Sequence, residues 1–448
     1  MSISIIKEKR IAIETLGVYR KLLQDPVISK LRILLEYIER NPGNNIEVLG
    51  LYNEFYHTLI EKGKGCSLKD YVISKILFMD NAYGRLAQLG EEIDPDNHIF
   101  QTARRDLGSL YQIASIKPEE IKEAITIIET EAPIIKERME NLPNWQESVR
   151  FELKDKHPII IRQFQESSNW EELIGTLTDF HMENGSGIWA EYKGFLWEEE
   201  ELKGVVSLDP IRMENLIGYQ IERQKVIDNT LAFLNGYPAN NMLLYGGRGT
   251  GKSSTVKALL NEYHNRGLRI IEISKEHLST FPKVIRMIKD YPQKFILFID
   301  DLSFEDGKGA YTSLKAVLEG GLETRPSNVV IYATSNRKHL IKEKFSDRAG
   351  MMSVNADDEV RAIDTMEEKL SLSDRFGITV TFATPSQKQY LEIVEGLVSN
   401  RGIIIDQETL YRKAVQWEMW YNARSPRTAT QFVDWLEAQD DYRPQPNL

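Results

Sequence analysis

Through the first 184 positions of the chain, apolar residues recur every three or four places, the spacing that lines one face of an α-helix. Val27, Leu31, Leu34, Leu35 and Ile38 follow Asp25-Pro26, a capping residue and a first-turn proline, and Pro42-Gly43-Asn44-Asn45 ends that helix. Pro118-Glu119-Glu120 opens another, with acids in its first turn ahead of Ile121, Ile125 and Ile128. Residues 1–184 are therefore expected to form a mostly α-helical N-terminal domain, and nothing in them reads as a catalytic set. The periodicity weakens between Asn184-Gly185-Ser186-Gly187 and Asp209-Pro210, where Trp189, Tyr192, Phe195 and Trp197 stand beside the acidic run Glu198 to Glu201. Residues 185–209 read as a linker that packs its aromatics on one of its neighbours, the alternative being a docking strip for a partner.

From Leu216 the texture changes to short apolar runs alternating with amphipathic stretches, which predicts a parallel α/β sheet flanked by helices over 210–384. Strands are expected at Met242 to Tyr245, Arg269 to Ile273, Phe295 to Ile299, Val329 to Ala333 and Ile378 to Phe382. After Pro385 the strands stop. Three helical stretches follow within 385–439, carrying Tyr390, Ile393, Val394 and Leu397, then Trp417 and Trp420, then Phe432 and Trp435. Residues 440–448 are polar and are expected to be a flexible tail.

At 448 residues the chain is too long for one core, and 42% hydrophobic with 27% charged residues is the balance of an ordinary soluble globular protein. A net charge of −11 argues against a general nucleic-acid coat without excluding a local basic groove. Cys66 is the one cysteine and can form no internal disulfide, and no His-Glu-x-x-His pattern offers zinc a site, so the reducing cytoplasm is the expected compartment. No apolar stretch approaches membrane-spanning length, and no membrane partner is expected.

The chemistry is carried by Gly246-Gly247-Arg248-Gly249-Thr250-Gly251-Lys252-Ser253, which fits the phosphate-binding loop G-x-x-x-x-G-K-[ST] between an apolar run and a helix-like run. Glycines let backbone N–H groups curl round a β-phosphate, Lys252 brings charge to the β/γ oxygens, and Ser253 is placed to ligate Mg²⁺. The octet, together with Ser254 in the opening turn of the helix, is the expected phosphate site. Phe295 to Ile299 is a buried strand ending in Asp300-Asp301, 48 positions after Lys252, the form of a Walker B element. Asp300 is expected to hold Mg²⁺, and Asp301 to orient or deprotonate the attacking water.

In these motifs the chain resembles AAA+ ATPases from Leu216 to about Ala438, and the wording around Asp300-Asp301-Leu302-Ser303-Phe304-Glu305, Ala333-Thr334-Ser335-Asn336-Arg337 and Leu370 to Gly377 looks closest to a bacterial AAA+ family known only as a domain of unknown function. The resemblance implies a P-loop AAA+ sheet with a C-terminal helical lid. It implies that Leu216-Ile217-Gly218-Tyr219 packs against adenine, chiefly through Ile217 and Gly218. Asn336 would be sensor 1, on the γ-phosphate or the water. Arg375, in Ser373-Asp374-Arg375-Phe376-Gly377, would be an arginine finger acting in trans, and Arg427, in Ser425-Pro426-Arg427, would be the sensor 2 residue of the lid. Most AAA+ members carry Asp-Glu where this chain has Asp-Asp, so Glu305 stands as the alternative catalytic carboxylate to Asp301. The alternatives for Arg375 and Arg427 are an intramolecular salt bridge and a surface arginine.

The function expected on this basis is an Mg²⁺-dependent ATPase, a homo-oligomer that remodels or loads a protein or nucleic-acid client. A slow nucleotide-dependent switch or adaptor is the second reading, and a small-molecule kinase the third. No Asn-Lys-x-Asp motif is present to read guanine. Protein-threading relatives carry an aromatic pore loop after the second strand, whereas Ser279-Thr280-Phe281-Pro282 offers a lone Phe281, read as a packing residue.

Overall fold

The computed structural model describes residues 2–41, 45–126, 133–148, 157–302, 326–336 and 375–439, with residues 314 and 318. It divides into two compact units, Met1–Glu191 and Tyr192–Leu448. Among the described residues of the first unit the regular elements are all helices. The helix Pro26–Arg40 shows why: the Asp25 side chain accepts from the N–H groups of Val27 and Ile28, proline occupies the first turn, and Val27, Ile28, Leu31, Leu34, Leu35 and Ile38 are buried along one face.

The second unit is built on a seven-stranded sheet. Its strands are β1 (Gly194–Glu198), β2 (Glu201–Gly204), β3 (Met242–Gly246), β4 (Leu268–Ile273), β5 (Lys294–Ile299), β6 (Val329–Ser335) and β7 (Ile378–Phe382), in the order β2-β1-β4-β5-β6-β3-β7. All neighbouring pairs are parallel except β1 with β2. Helices cover both faces, so the central strands are apolar without alternation: every residue of β6 is buried, as are Phe295 to Ile299 of β5. Among the flanking helices, α1 (Gln220–Leu234) and α2 (Lys252–Tyr263) contribute to the site, and α3 (Phe281–Ile288) follows β4. Phe281 is fully buried, in agreement with its reading as a packing residue.

Residues 185–209 are more than a linker. Phe195 and Trp197, each 1% exposed, lie in β1, which pairs parallel to β4, and β2 folds back on it to close the sheet edge. The acidic turn Glu199-Glu200, with both residues at positive φ, and a β2 of four residues leave too little alternation for the strands to be read from sequence. The Trp197 indole N–H donates to the Thr280 hydroxyl at 2.8 Å, fastening this hairpin to the segment that follows β4.

After β7 come α4 (Gln387–Asn400), α5 (Gln407–Tyr421) and α6 (Pro426–Glu437). They form a separate apolar cluster around Tyr390, Ile393, Val394, Trp417, Phe432 and Val433, against which Ile217 and Tyr219 also pack. Ser386 and Gln389 form a reciprocal cap at the start of α4. No helix among the described residues is long and apolar enough to cross a membrane.

At the junction of β3 and the following turn, Gly246 has φ 149°, and a Cβ there would stand 1.9 Å from the Phe382 carbonyl oxygen on β7. Gly251 has φ 87° with open space around it. Gly246→Ala is therefore expected to cost about 3 kcal/mol or more, and Gly251→Ala only about 1–2 kcal/mol from backbone strain. Urea denaturation checks the difference, which disappears if the contact with β7 does not constrain the turn.

Candidate functional site

Parallel pairing brings the C-terminal ends of β3, β5 and β6 to one edge of the sheet, and the loop between β3 and α2 turns there. Gly246, Gly249 and Gly251 all take positive φ, at 149°, 74° and 87°, which lets the chain curl before α2 begins at Lys252. The Thr250 hydroxyl donates to the Gly247 carbonyl at 2.9 Å and closes the loop on itself. A cavity of about 870 Å³ opens over it. Arg248 to Ser254 line the loop side, Asp300, Asp301, Thr334 and Asn336 line the sheet edge, and Arg427 lines the lid side. Gly246 and Gly247 shape the loop from beneath.

Asp300 follows the last residue of β5. Its Oδ1 accepts from the Ser253 hydroxyl at 2.6 Å, the Thr334 hydroxyl at 2.5 Å and the Asp301 N–H at 3.1 Å. Asp301 sits at φ 51°, a left-handed conformation that costs a residue with a Cβ about 1–2 kcal/mol. It is held there by its N–H, which donates to Thr334 Oγ1 at 2.9 Å, and by Asn336, whose Nδ2 donates to Asp301 Oδ1 at 2.6 Å. The other end of the Asn336 amide accepts from Lys252 Nζ at 3.0 Å. Lys252 also donates to the carbonyls of Gly246 and Gly247 at 3.0 and 2.8 Å. It is a buried residue, 6% exposed, and burial lowers its pKa against the opposing pull of Asp300 and Asp301. The ammonium thus rests on weak neutral acceptors, where a polyphosphate would serve it better.

The lid meets the loop directly. Ser425 caps α6, Pro426 supplies no N–H, and the Arg427 N–H donates to the Gly249 carbonyl at 3.1 Å. A Cβ on Gly249 would stand 2.9 Å from both Arg427 Cβ and Ser425 Oγ, so the approach depends on glycine. On the far side Leu216, Ile217, Ile393 and Leu397 form an apolar wall suited to a planar base. Ile217 lies against Gly396 of α4, where a Cβ would come within 2.8 Å of it. Gly218, at φ 77°, turns the chain beside Ile393.

The hard oxygen donors Ser253 and Asp300, adjacent in the cavity, fit Mg²⁺. Among the described residues no group of three His, Cys, Asp or Glu side chains could hold a metal without further ligands, which phosphate oxygens would have to supply.

Of the expected residues, one falls outside the described part of the chain and one described residue does not line the cavity. Glu305 lies outside the described residues. Arg375 precedes β7 at the opposite edge of the sheet: Ile378 pairs with Met242 at the start of β3, whereas the loop leaves β3 at Gly246, beside Phe382. Roughly 13 Å of strand separates those levels. Two residues escaped the sequence reading. Thr334 was visible within Ala333-Thr334-Ser335-Asn336, but its bonds to Asp300 and Asp301 exist only once β6 pairs with β5. Arg223 gave no signal, since one arginine in an amphipathic helix looks like surface. It is 6% exposed and lines the cavity.

The strand order, the phosphate loop and the helical lid define an AAA+ protein carrying a nucleotide site. Residues 190–440 match a family described as "Protein of unknown function (DUF815)", and the chain belongs to that family. It is also similar to the 26S proteasome regulatory subunit 4 homolog of Encephalitozoon cuniculi (strain GB-M1), at 32% identity over 115 residues covering 22% of this chain. The match spans 27% of the length of that relative. Among solved structures, the Thermotoga maritima RuvB Holliday junction branch migration motor is similar at 13% identity and a TM-score of 0.30, over 52% of this chain and 74% of that one. A point variant of Thermotoga maritima RuvB has 15% identity and a TM-score of 0.32 over the same shares.

Lys252→Ala is expected to weaken ATP binding by at least about 100-fold, or ~2.7 kcal/mol, because it removes the one buried cation of the loop. The melting temperature should change little, since burying that charge is itself unfavourable. Calorimetric titration with ATP and Mg²⁺, paired with a melting curve, checks both halves.

Proposed function

We propose that the chain is an Mg²⁺-dependent ATPase that works as a homo-oligomer in the cytoplasm and couples hydrolysis to remodelling or loading of a macromolecular client. The observation that carries this reading is the run of hydrogen bonds from Lys252 through Asn336 to Asp301, set beside the Ser253–Asp300 pair in one cavity. The same side chains that hold a polyphosphate are thereby coupled to the carboxylate nearest the attacking water. When bound, Mg²⁺ supplies charge neutralisation on the β- and γ-phosphate oxygens.

The residues divide the remaining work. Lys252 exchanges the Gly246 and Gly247 carbonyls and Asn336 for phosphate oxygens, and Asn336 is freed to orient water. Asp301 takes a proton as the water oxygen bonds to the γ-phosphorus and the bond to ADP breaks. Arg427, at the start of the lid helix that touches the loop, adds positive charge from above. Arg375, at the far edge of its own sheet, is suited to the site of a neighbouring subunit. The client stays at the level of a protein or nucleic acid, because the nucleotide site itself selects neither.

Asp301→Asn is expected to bind ATP as the parent does and to hydrolyse it at least about tenfold more slowly, while Glu305→Gln keeps most activity. Steady-state rates in the reverse order would transfer the role to Glu305. Arg375→Ala should also bind ATP normally and lose roughly 10³-fold or more in rate. Mixed with Lys252→Ala it should regain activity, because one interface then pairs an intact loop with an intact arginine. No rescue under conditions of demonstrated subunit exchange, with a rate per site independent of protein concentration, would sink the shared site.

A further inference from the structure

Resting on the nucleotide-site reading above, we propose that Arg223 is a positioning residue for the base, holding the Leu216-Ile217-Gly218 wall in place without touching the phosphates. Arg223 lies in the first turn of α1, and its side chain reaches back over the start of the helix. Nη1 donates to the Leu216 carbonyl, and Nη2 donates to the Ile217 carbonyl at 3.1 Å. Two consecutive peptide planes are fixed by one rigid fork, a geometry that lysine cannot reproduce.

The segment needs an external clamp. Gly218 and Tyr219 are consecutive left-handed residues, at φ 77° and 54°, and a chain with a tyrosine in that region does not settle there on local preference. Three contacts impose the shape. Arg223 holds the two carbonyls, the Tyr219 hydroxyl donates to the Ala383 carbonyl at 2.5 Å, and Ile217 packs on Gly396 of the lid. Of the three, only Arg223 acts on the backbone of the residues that face the cavity.

Keeping the guanidinium there is costly. It is 6% exposed, its Nε has no hydrogen-bond partner, and no salt bridge joins it to an acid among the described residues. Burial draws its pKa down to about 10, with Tyr219 and Glu222 opposing, so it stays charged at neutral pH. A helix without such a burden would place an apolar residue at this position. The charge is retained where it shapes one wall of the cavity, and Lys252 and the loop, on the other side, are held by their own separate bonds.

That separation makes the role measurable. Full-length parent, Arg223→Gln and Arg223→Lys are titrated calorimetrically with ATP, ADP and inorganic tripolyphosphate, each with Mg²⁺. In Arg223→Gln the affinities for ATP and ADP are expected to fall at least about tenfold, tripolyphosphate to stay within about twofold, and the maximal hydrolysis rate at saturating ATP to stay within about twofold. Arg223→Lys should show the same pattern at smaller size, and it carries the comparison if Arg223→Gln fails to fold. An equal loss of ATP and tripolyphosphate would make Arg223 a general structural residue, and unchanged ATP affinity would remove it from the site; either result overturns the proposal. A parent that binds neither ATP nor tripolyphosphate would overturn the nucleotide-site reading itself.

Discussion

One carboxylate oxygen joins the parts of the site. Asp300 Oδ1 accepts from Ser253 at the start of α2, from Thr334 near the end of β6 and from the N–H of the next residue. Those three donors come from the first turn of α2, the strand beside β5 and the turn that ends β5. An ionised acceptor bonded three ways is worth more than a neutral one, and it draws the phosphate loop to the sheet edge. The left-handed backbone at Asp301 follows from the same arrangement, because its N–H must reach both Asp300 and Thr334. Without that anchor the loop, Asn336 and Asp301 would still share an edge of the sheet but not a common geometry.

A second constraint is the way the lid closes over that edge. Arg427 meets Gly249 through backbone, and Ile217 meets Gly396 through side chain, so the two ends of the cavity are tied to the same three-helix cluster. Tyr219 packs against both the sheet core and the lid core. A rotation of the lid therefore moves the phosphate end and the base end together. On the reading proposed here, that coupling is how occupancy of the site would be felt by the rest of the subunit, with Arg375 on the far edge reporting to a neighbour.

Much of this was legible in the chain. The runs at Met242 to Tyr245, Arg269 to Ile273, Phe295 to Ile299, Val329 to Ala333 and Ile378 to Phe382 all lie within observed strands: the inner ones are largely apolar because both faces are covered, and the last, at the end of the sheet, alternates exposed Thr379 and Thr381 with buried Val380 and Phe382. The loop after β3 was legible because Gly246, Gly249 and Gly251 take positive φ, which glycine adopts without a steric penalty. The β1–β2 hairpin was not, since its short strands end in an acidic turn and its aromatics, Phe195 and Trp197, are equally compatible with a packed linker. The burial of Lys252 was not legible either, because it is a consequence of the loop, Asn336 and the sheet edge enclosing it together.

What the sequence determined by itself is local: which segments are strands, where the loop turns, and which residue types stand ready for phosphate, metal and water. Those depend on φ preferences, periodicity and spacing along a few neighbouring positions. What only the tertiary structure decided is which of them meet. Thr334 reaches Asp300 across 34 positions and Asn336 reaches Lys252 across 84, while Arg375, carrying an equally suggestive motif, is left at the opposite edge. Strand order and direction set those distances, and they arise from hydrogen bonds and burial between segments far apart in the chain, which no local pattern encodes.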